Sequence, residues 1–168
     1  MNKSVRYWSR DEIENIVKDK NIDRTRFHEF SKFEYEKVIK KFYYSFCDYS
    51  VCKKISSLSY VWLKFRRNLI KTATVSENVG WNNMLNTITE EMEYNWNKKL
   101  YLILSDGWVY EGYIDEIITV LEEITGNVED FYIVSLDFDC MVAGNVYLFR
   151  IPVQIGRDRY SPCHLYDF

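Results

Sequence analysis

Tyr101-Leu-Ile-Leu-Ser-Asp-Gly-Trp-Val-Tyr-Glu-Gly112 is the stretch on which the fold turns. Leu100 to Leu104 is a short apolar run of strand length, and Ser105-Asp106-Gly107 is a turn signal. Trp108 to Gly112 can therefore return as an antiparallel strand. Just beyond it, Ile114, Ile117, Ile118, Leu121 and Ile124 recur at helical spacing. They predict a helix over Asp115–Ile124 with that stripe buried and Glu116, Glu122 and Glu123 facing water. Gly126-Asn127 stops the helix. Phe131 to Ser135 reads as a strand, Asp137 to Asp139 as a polar interruption, and Val146 to Ile151 as another strand.

The N-terminal side adds helices. Ser9-Arg10-Asp11-Glu12 has the form of a capping box ahead of Ile13, Ile16 and Val17, and that helix should stop near Lys20–Asn21. Ser31-Lys32-Phe33-Glu34 is a second box, followed by Tyr35, Val38, Ile39, Phe42 and Phe46 at helical spacing. Leu58 to Phe65 alternates in the manner of a strand, with Tyr60, Trp62 and Lys64 on the wetter face. Met84, Leu85, Ile88, Met92 and Trp96 permit a further helix with Thr87 to Glu91 on its polar side, although Asn78–Asn83 also suits a loop. The whole predicts one α+β domain over residues 1–168: a mostly antiparallel sheet with helices covering one face.

Charge is divided along the chain. Residues 1–71 carry 17 Lys/Arg against 9 Asp/Glu, and residues 72–168 carry 5 against 16, although the total is only −3. Aromatic residues make up 17% of the chain, enough to fill a core and still supply interface anchors. The N-terminus turns charged before any apolar run develops, and no stretch approaches 18 apolar residues. Both features predict a cytoplasmic chain with no secretory signal and no membrane span. Cys47, Cys52, Cys140 and Cys163 match no common zinc spacing, and reduced thiols are the default in that compartment.

The strongest candidate site is acidic and aromatic: Asp106, Trp108, Tyr110, Glu111, Glu122, Glu123, Glu129, Asp130, Asp137 and Asp139. Carboxylates attract and steer a basic partner, while Trp108 and Tyr110, or Tyr132 if exposed, supply apolar anchors. The competing reading is a solvated acidic surface around core rings. Asp137-Phe138-Asp139 pairs two carboxylates, as a cation site or an acid/base pair requires. Yet Met141, Val142 and Ala143 follow where a calcium loop would place oxygen ligands. Cys163-His164 are adjacent, and neighbours on an extended segment point to opposite sides, which disfavours a thiolate–imidazole pair. Lys37, Lys40, Lys41, Lys53, Lys54, Lys64, Arg66 and Arg67, with Tyr43, Tyr44 and Trp62, have the composition of a nucleic-acid surface, but the acidic half opposes a polyanion. Gly107 and Gly112 are not followed by the lysine of a phosphate loop. Neither a catalytic set, a cofactor site nor a metal site is therefore expected.

Tyr101 to Gly112, Ile114-Asp115-Glu116-Ile117, Asp130-Phe-Tyr-Ile-Val-Ser135 and Phe138-Asp139 together resemble small bacterial immunity-type proteins that accompany polymorphic or contact-dependent toxins. The resemblance covers roughly residues 100–149. It implies a non-enzymatic protein that binds one cognate toxin domain with a basic surface, such as a nuclease, and blocks its active site or substrate groove. Reversing Asp137 and Asp139 should then weaken that complex. The alternatives are a general protein-binding or regulatory module and, behind it, a nucleic-acid-binding protein or a hydrolase.

Overall fold

Strands that are apolar on both sides need cover on both sides. The computed structural model describes residues 8–48, 58–66, 81–91, 97–124, 128–145 and 149–150. Along the chain they form α1 (Trp8–Asp19), β1 (Phe27–Glu29), α2 (Tyr35–Phe46), a 3₁₀ helix (Val61–Lys64), α3 (Trp81–Glu91), β2 (Leu100–Leu104), β3 (Val109–Gly112), α4 (Ile114–Glu123), β4 (Asp130–Ser135), β5 (Met141–Asn145) and β6 (Phe149–Arg150). Among the described residues the strands make one sheet in the order β1-β3-β2-β4-β5-β6, and every pairing is antiparallel. The α+β class and the antiparallel sheet follow the sequence expectation.

The cover differs from that expectation. Leu100, Leu102, Leu104, Tyr110, Phe131 and Ile133 face one core, shared with Ile13 and Val17 of α1, Leu85 and Ile88 of α3, and Ile114, Ile117, Val120 and Leu121 of α4. Ile103, Val109, Tyr132, Val134 and Ala143 face a second core, shared with Val38, Phe42, Tyr43 and Phe46 of α2 and with Leu58, Val61 and Phe65. Helices therefore cover both faces, not one. The reason lies in β4, where each residue from Asp130 to Ser135 is buried and no side is left for water.

Local chemistry explains several boundaries. α1 ends where expected, in a Schellman arrangement. Asn21 takes the left-handed conformation (φ 53°), its N–H donates to the Lys18 carbonyl, and Ile22 N–H donates to the Val17 carbonyl. The two capping boxes are not used. Ser9 is buried inside α1, which begins at Trp8, and α2 is preceded by Glu34 with no side-chain cap. Ser31 instead closes a turn through its carbonyl to Glu34 N–H. The β2–β3 hairpin has the expected three-residue turn, with Gly107 at φ 95°.

Four further expectations change. Residues 58–65 form no paired strand. Leu58, Val61 and Phe65 are buried at spacings of three and four, Tyr60 is left-handed, and only an isolated bridge joins Phe65 to Cys47. β5 (Met141–Asn145) is a strand the sequence did not predict; of the strand expected over Val146–Ile151, Phe149–Arg150 form β6 and the other positions lie outside the described residues. Within α4, Val120 is fully buried while Ile118 is only partly so, and Glu116 is drawn to Arg26 rather than facing water. β1, an edge strand of three residues, has no counterpart in the sequence reading. α3 fits the helix expectation at Leu85 and Ile88. Met92, Trp96, Gly126 and Asn127 lie outside the described residues.

β1 reaches the sheet through Gly112. A Cβ there would lie 2.5 Å from Phe27 Cδ2 and 3.0 Å from the Arg26 carbonyl oxygen. Phe27 cannot swing aside easily, because its buried ring stacks on Tyr110 at 5.2 Å with planes 5° apart. Gly112→Ala should destabilise the fold by about 1–3 kcal/mol through overpacking, read as a lower urea midpoint at unchanged slope.

Candidate protein interface at the Asp106 end of the sheet

The register fixes which loops meet. Leu104 pairs with Phe131, whereas Leu100 pairs with both Gly112 and Ser135. The turn with Asp106 and Trp108, the start of β4 at Glu129–Asp130, and the β1–α2 connection after Phe30 thus share one end of the sheet. Backbone bonds tie them together: Phe30 N–H to the Val109 carbonyl (2.9 Å) and Ser105 N–H to the Asp130 carbonyl (2.9 Å). Tyr60 N–H adds the neighbouring segment by donating to Asp130 Oδ2 at 2.6 Å. Asp137 and Asp139 stand at the opposite end, a strand length of about 17 Å away.

The expected acidic–aromatic set therefore divides. Asp106, Trp108, Glu129 and Asp130 come together. Tyr110 does not join them as an anchor, because its ring is fully buried (0% exposed) between the sheet and α1. Burial, with Glu14 and Glu29 nearby, also pushes its phenol pKa upward. Tyr132 is likewise interior and donates its hydroxyl to the Leu58 carbonyl at 2.8 Å. Glu111 sits mid-sheet on the α2 side and receives Lys99 at 3.1 Å. Glu122 and Glu123 close α4, Glu123 holding Lys20 at 2.5 Å. Asp130 is buried, so it organises the end of the sheet instead of lining its surface.

Asp137 and Asp139 crown the β4–β5 hairpin. Ser135 Oγ donates to Asp139 Oδ1 (2.6 Å) and accepts from the N–H groups of Asp139 and Cys140, while Phe138 adopts φ 60° and buries its ring. That is the bonding of a tight turn. Among the described residues no group of three or more His, Cys, Asp and Glu is arranged to hold a metal ion. On α2, Lys37 meets Glu34, Lys40 meets Glu36, and Lys41 lies over the Phe138 ring, so these lysines are engaged within the fold. Lys53, Lys54, Arg67, Cys163 and His164 lie outside the described residues.

Two exposed rings at this end were not singled out as site residues from sequence. Phe33 is 96% exposed in the β1–α2 connection, and Tyr60 is 55% exposed beside Asp130. The signal for Phe33 was the failed capping box: with α2 starting at Tyr35, residues 31–34 form a turn that turns its side chain outward.

The Trp108 backbone N–H donates to Asp106 Oδ1 at 3.5 Å, and its ring is flanked by cations. Arg10 lies 5.5 Å and Lys32 5.1 Å from its ring centre, and Tyr35 meets it edge-on at 6.2 Å. Behind them stands Glu29 on β1. Arg10 Nε and Nη2 both donate to Glu29 Oε2 (2.9 and 2.8 Å), and the Tyr35 hydroxyl donates to Oε1 (2.7 Å). Burial alone would raise the Glu29 pKa. The hydrogen bonds from Arg10 and Tyr35, with the charges of Arg10 and Lys32, outweigh it and hold the carboxyl below its ordinary range. This network clamps α1, β1 and the start of α2 around Trp108.

A family model for a family of unknown function, DUF6756, matches residues 6–151. The chain belongs to the DUF6756 family. No curated protein and no solved structure matches the chain significantly. No helix among the described residues is long and apolar enough to cross a membrane.

Because the folded-state pKa of Glu29 lies below its unfolded value, its stabilisation is present at neutral pH and is lost as pH falls through the carboxylate range. Glu29→Gln should therefore flatten the fall in stability between about pH 5 and 3. Arg10→Ala, which strands a largely buried carboxylate, should cost about 1–3 kcal/mol at pH 7. Urea titrations across that pH range check both.

Proposed function

We propose that this member of the family is a non-enzymatic protein-binding module of the immunity type, which neutralises a toxin by covering its active site or substrate groove with the Asp106 end of the sheet. The observation that carries the reading is that the register brings to this end the exposed rings of Phe33 and Tyr60, with the half-buried Trp108 and Asp106 and the exposed Glu129. Aromatic residues dominate the energetic centres of protein interfaces, and flanking charge speeds encounter and selects the partner. The strands beside Phe33 and Tyr60, β1 and β4, lie three strand spacings, about 14 Å, apart, a span that fits within one standard interface. The charges are graded: Arg10 and Lys32 flank Trp108 on the β1 side, while Asp106 and Glu129 lie toward β2 and β4.

A basic groove on the partner suits the β2–β4 side. Carboxylates placed there would occupy the positions of substrate phosphates if the toxin were a nuclease. The resemblance over residues 100–149 supports the toxin-directed reading, and the ring cluster supports protein binding in general.

Co-expression of the tagged chain with the product of the gene immediately upstream should yield a stoichiometric complex and relief of that product's toxicity. Asp106→Lys with Glu129→Lys should weaken the complex about tenfold, roughly 1.4 kcal/mol, measured at low salt. Asp137→Lys with Asp139→Lys should leave it unchanged, because that pair stands at the other end of the sheet. Equal loss from both pairs would move the binding surface. A complex without toxicity or protection would favour a regulatory binding module.

A further inference from the structure

Tyr60 combines three features that are rarely found together. Its backbone is left-handed (φ 55°, ψ 23°), a region that large L residues seldom occupy. Its ring is mostly in solvent, touching Trp62 edge-on at 6.4 Å. Its N–H is held by a carboxylate that is itself only 1% exposed, Asp130 Oδ2 at 2.6 Å. Glycine or asparagine would satisfy the turn at less steric cost, and a backbone acceptor would hold the N–H without burying a carboxylate. The ring gains little from the fold in return. Strained conformations held by over-determined surroundings concentrate where a side chain must be aimed at a ligand.

We propose that Tyr60 is a pre-aimed anchor for a protein partner, inserting its ring into an apolar pocket rimmed by Lys or Arg, and that Asp130 is the residue that positions it. This rests on the protein-binding reading above and assigns it an energetic centre. The cationic rim follows from Glu129, exposed next to Asp130, and from Asp106, whose neighbour Ser105 is bonded to the Asp130 carbonyl. Leu63, exposed one turn further along the same 3₁₀ helix, supplies apolar surface adjoining the ring. Tyr132, bonded to the Leu58 carbonyl, and Asp130 lie in the same strand, so β4 fixes the segment at two points. A backbone already fixed at Tyr60 has less conformational freedom to forfeit on binding, which slows dissociation.

Tyr60→Gly is the decisive variant. Relief of the left-handed strain should raise the thermal midpoint by about 2–4 °C. The complex with the upstream gene product should nevertheless weaken by tenfold or more. Asp130→Asn, which keeps an oxygen acceptor for the Tyr60 N–H, should keep near-native binding, whereas a folded Asp130→Ala should bind as weakly as Tyr60→Gly. A midpoint that falls by more than about 2 °C in Tyr60→Gly would overturn the proposal, because the ring would then be holding the fold together. A wild-type complex that survives Tyr60→Gly unchanged would also overturn it, leaving the protein-binding reading intact. No wild-type complex would instead overturn that reading, and the midpoint shift would still decide whether Tyr60 is held against stability. A single-stranded DNA oligonucleotide bound by the wild type and released by Tyr60→Gly would replace the protein partner with nucleic acid.

Discussion

Burial of β2 and β4 on both faces is the constraint from which the other features follow. A sheet with one wet face can place polar residues on alternate positions; here alternate positions along these two strands enter different cores. Polar groups carried into that interior must find partners. Tyr132 reaches the Leu58 carbonyl, and Asp130 reaches the Tyr60 peptide. These two bonds also explain why residues 58–66 lie where they do: the segment is pinned by side chains of β4 rather than by a strand ladder. Polarity is displaced to the edge, where β1 carries His28 and Glu29, to the Lys99-paired Glu111 of β3, and to the two ends of the sheet.

The opposite charges of the two halves meet within the fold. Lys20 holds Glu123, and Arg26 donates to both Asp115 and Glu116 while lying over the Tyr113 ring at 4.6 Å. These contacts join the N-terminal elements to α4. The exposed Lys20–Glu123 pair adds little stability by itself, whereas the Arg26 fork on the largely buried Glu116 orients β1 against α4. What remains for recognition is smaller than the formal charge suggests. It is also distributed differently, with cations around Trp108 and carboxylates toward β4.

The legible parts of the sequence were those where local pattern and final burial agree. The β2–β3 hairpin, the presence of α4 and most of the α2 stripe follow from the sequence because turn residues and periodic apolar positions point to the same structure; the burial of Val120 and Tyr43 does not. Leu58 to Phe65 misled, since alternating apolar residues also fit a tight helical segment when tertiary anchors select every third or fourth one. The boxes at Ser9 and Ser31 also misled: Ser9 lies within α1, and residues 31–34 form a turn before α2 begins at Tyr35. Of the candidate site, Asp106, Trp108 and Glu129 were legible as chemistry. Their grouping was not, because it depends on the register of β2 with β4. Tyr110 illustrates the limit of composition: nothing in an aromatic residue on an alternating strand tells whether its side of the sheet is wet.

The two kinds of ring at the Asp106 end are held by different physics, and the difference bears on what each can contribute. Trp108 is fixed by stacking cations whose own positions depend on Glu29, a network tuned by charge and therefore by pH and salt. Tyr60 is fixed by its backbone and a buried acceptor, which screening scarcely reaches. A partner engaging both would meet one contact that responds to ionic conditions and one that does not. Selectivity can then vary with the charge-set contact while residence time rests on the rigid one. That division of labour requires the loops to share a scaffold that does not yield, and β4 is that scaffold: the strand that closes both cores is also the strand whose first residue, Asp130, organises the Asp106 end.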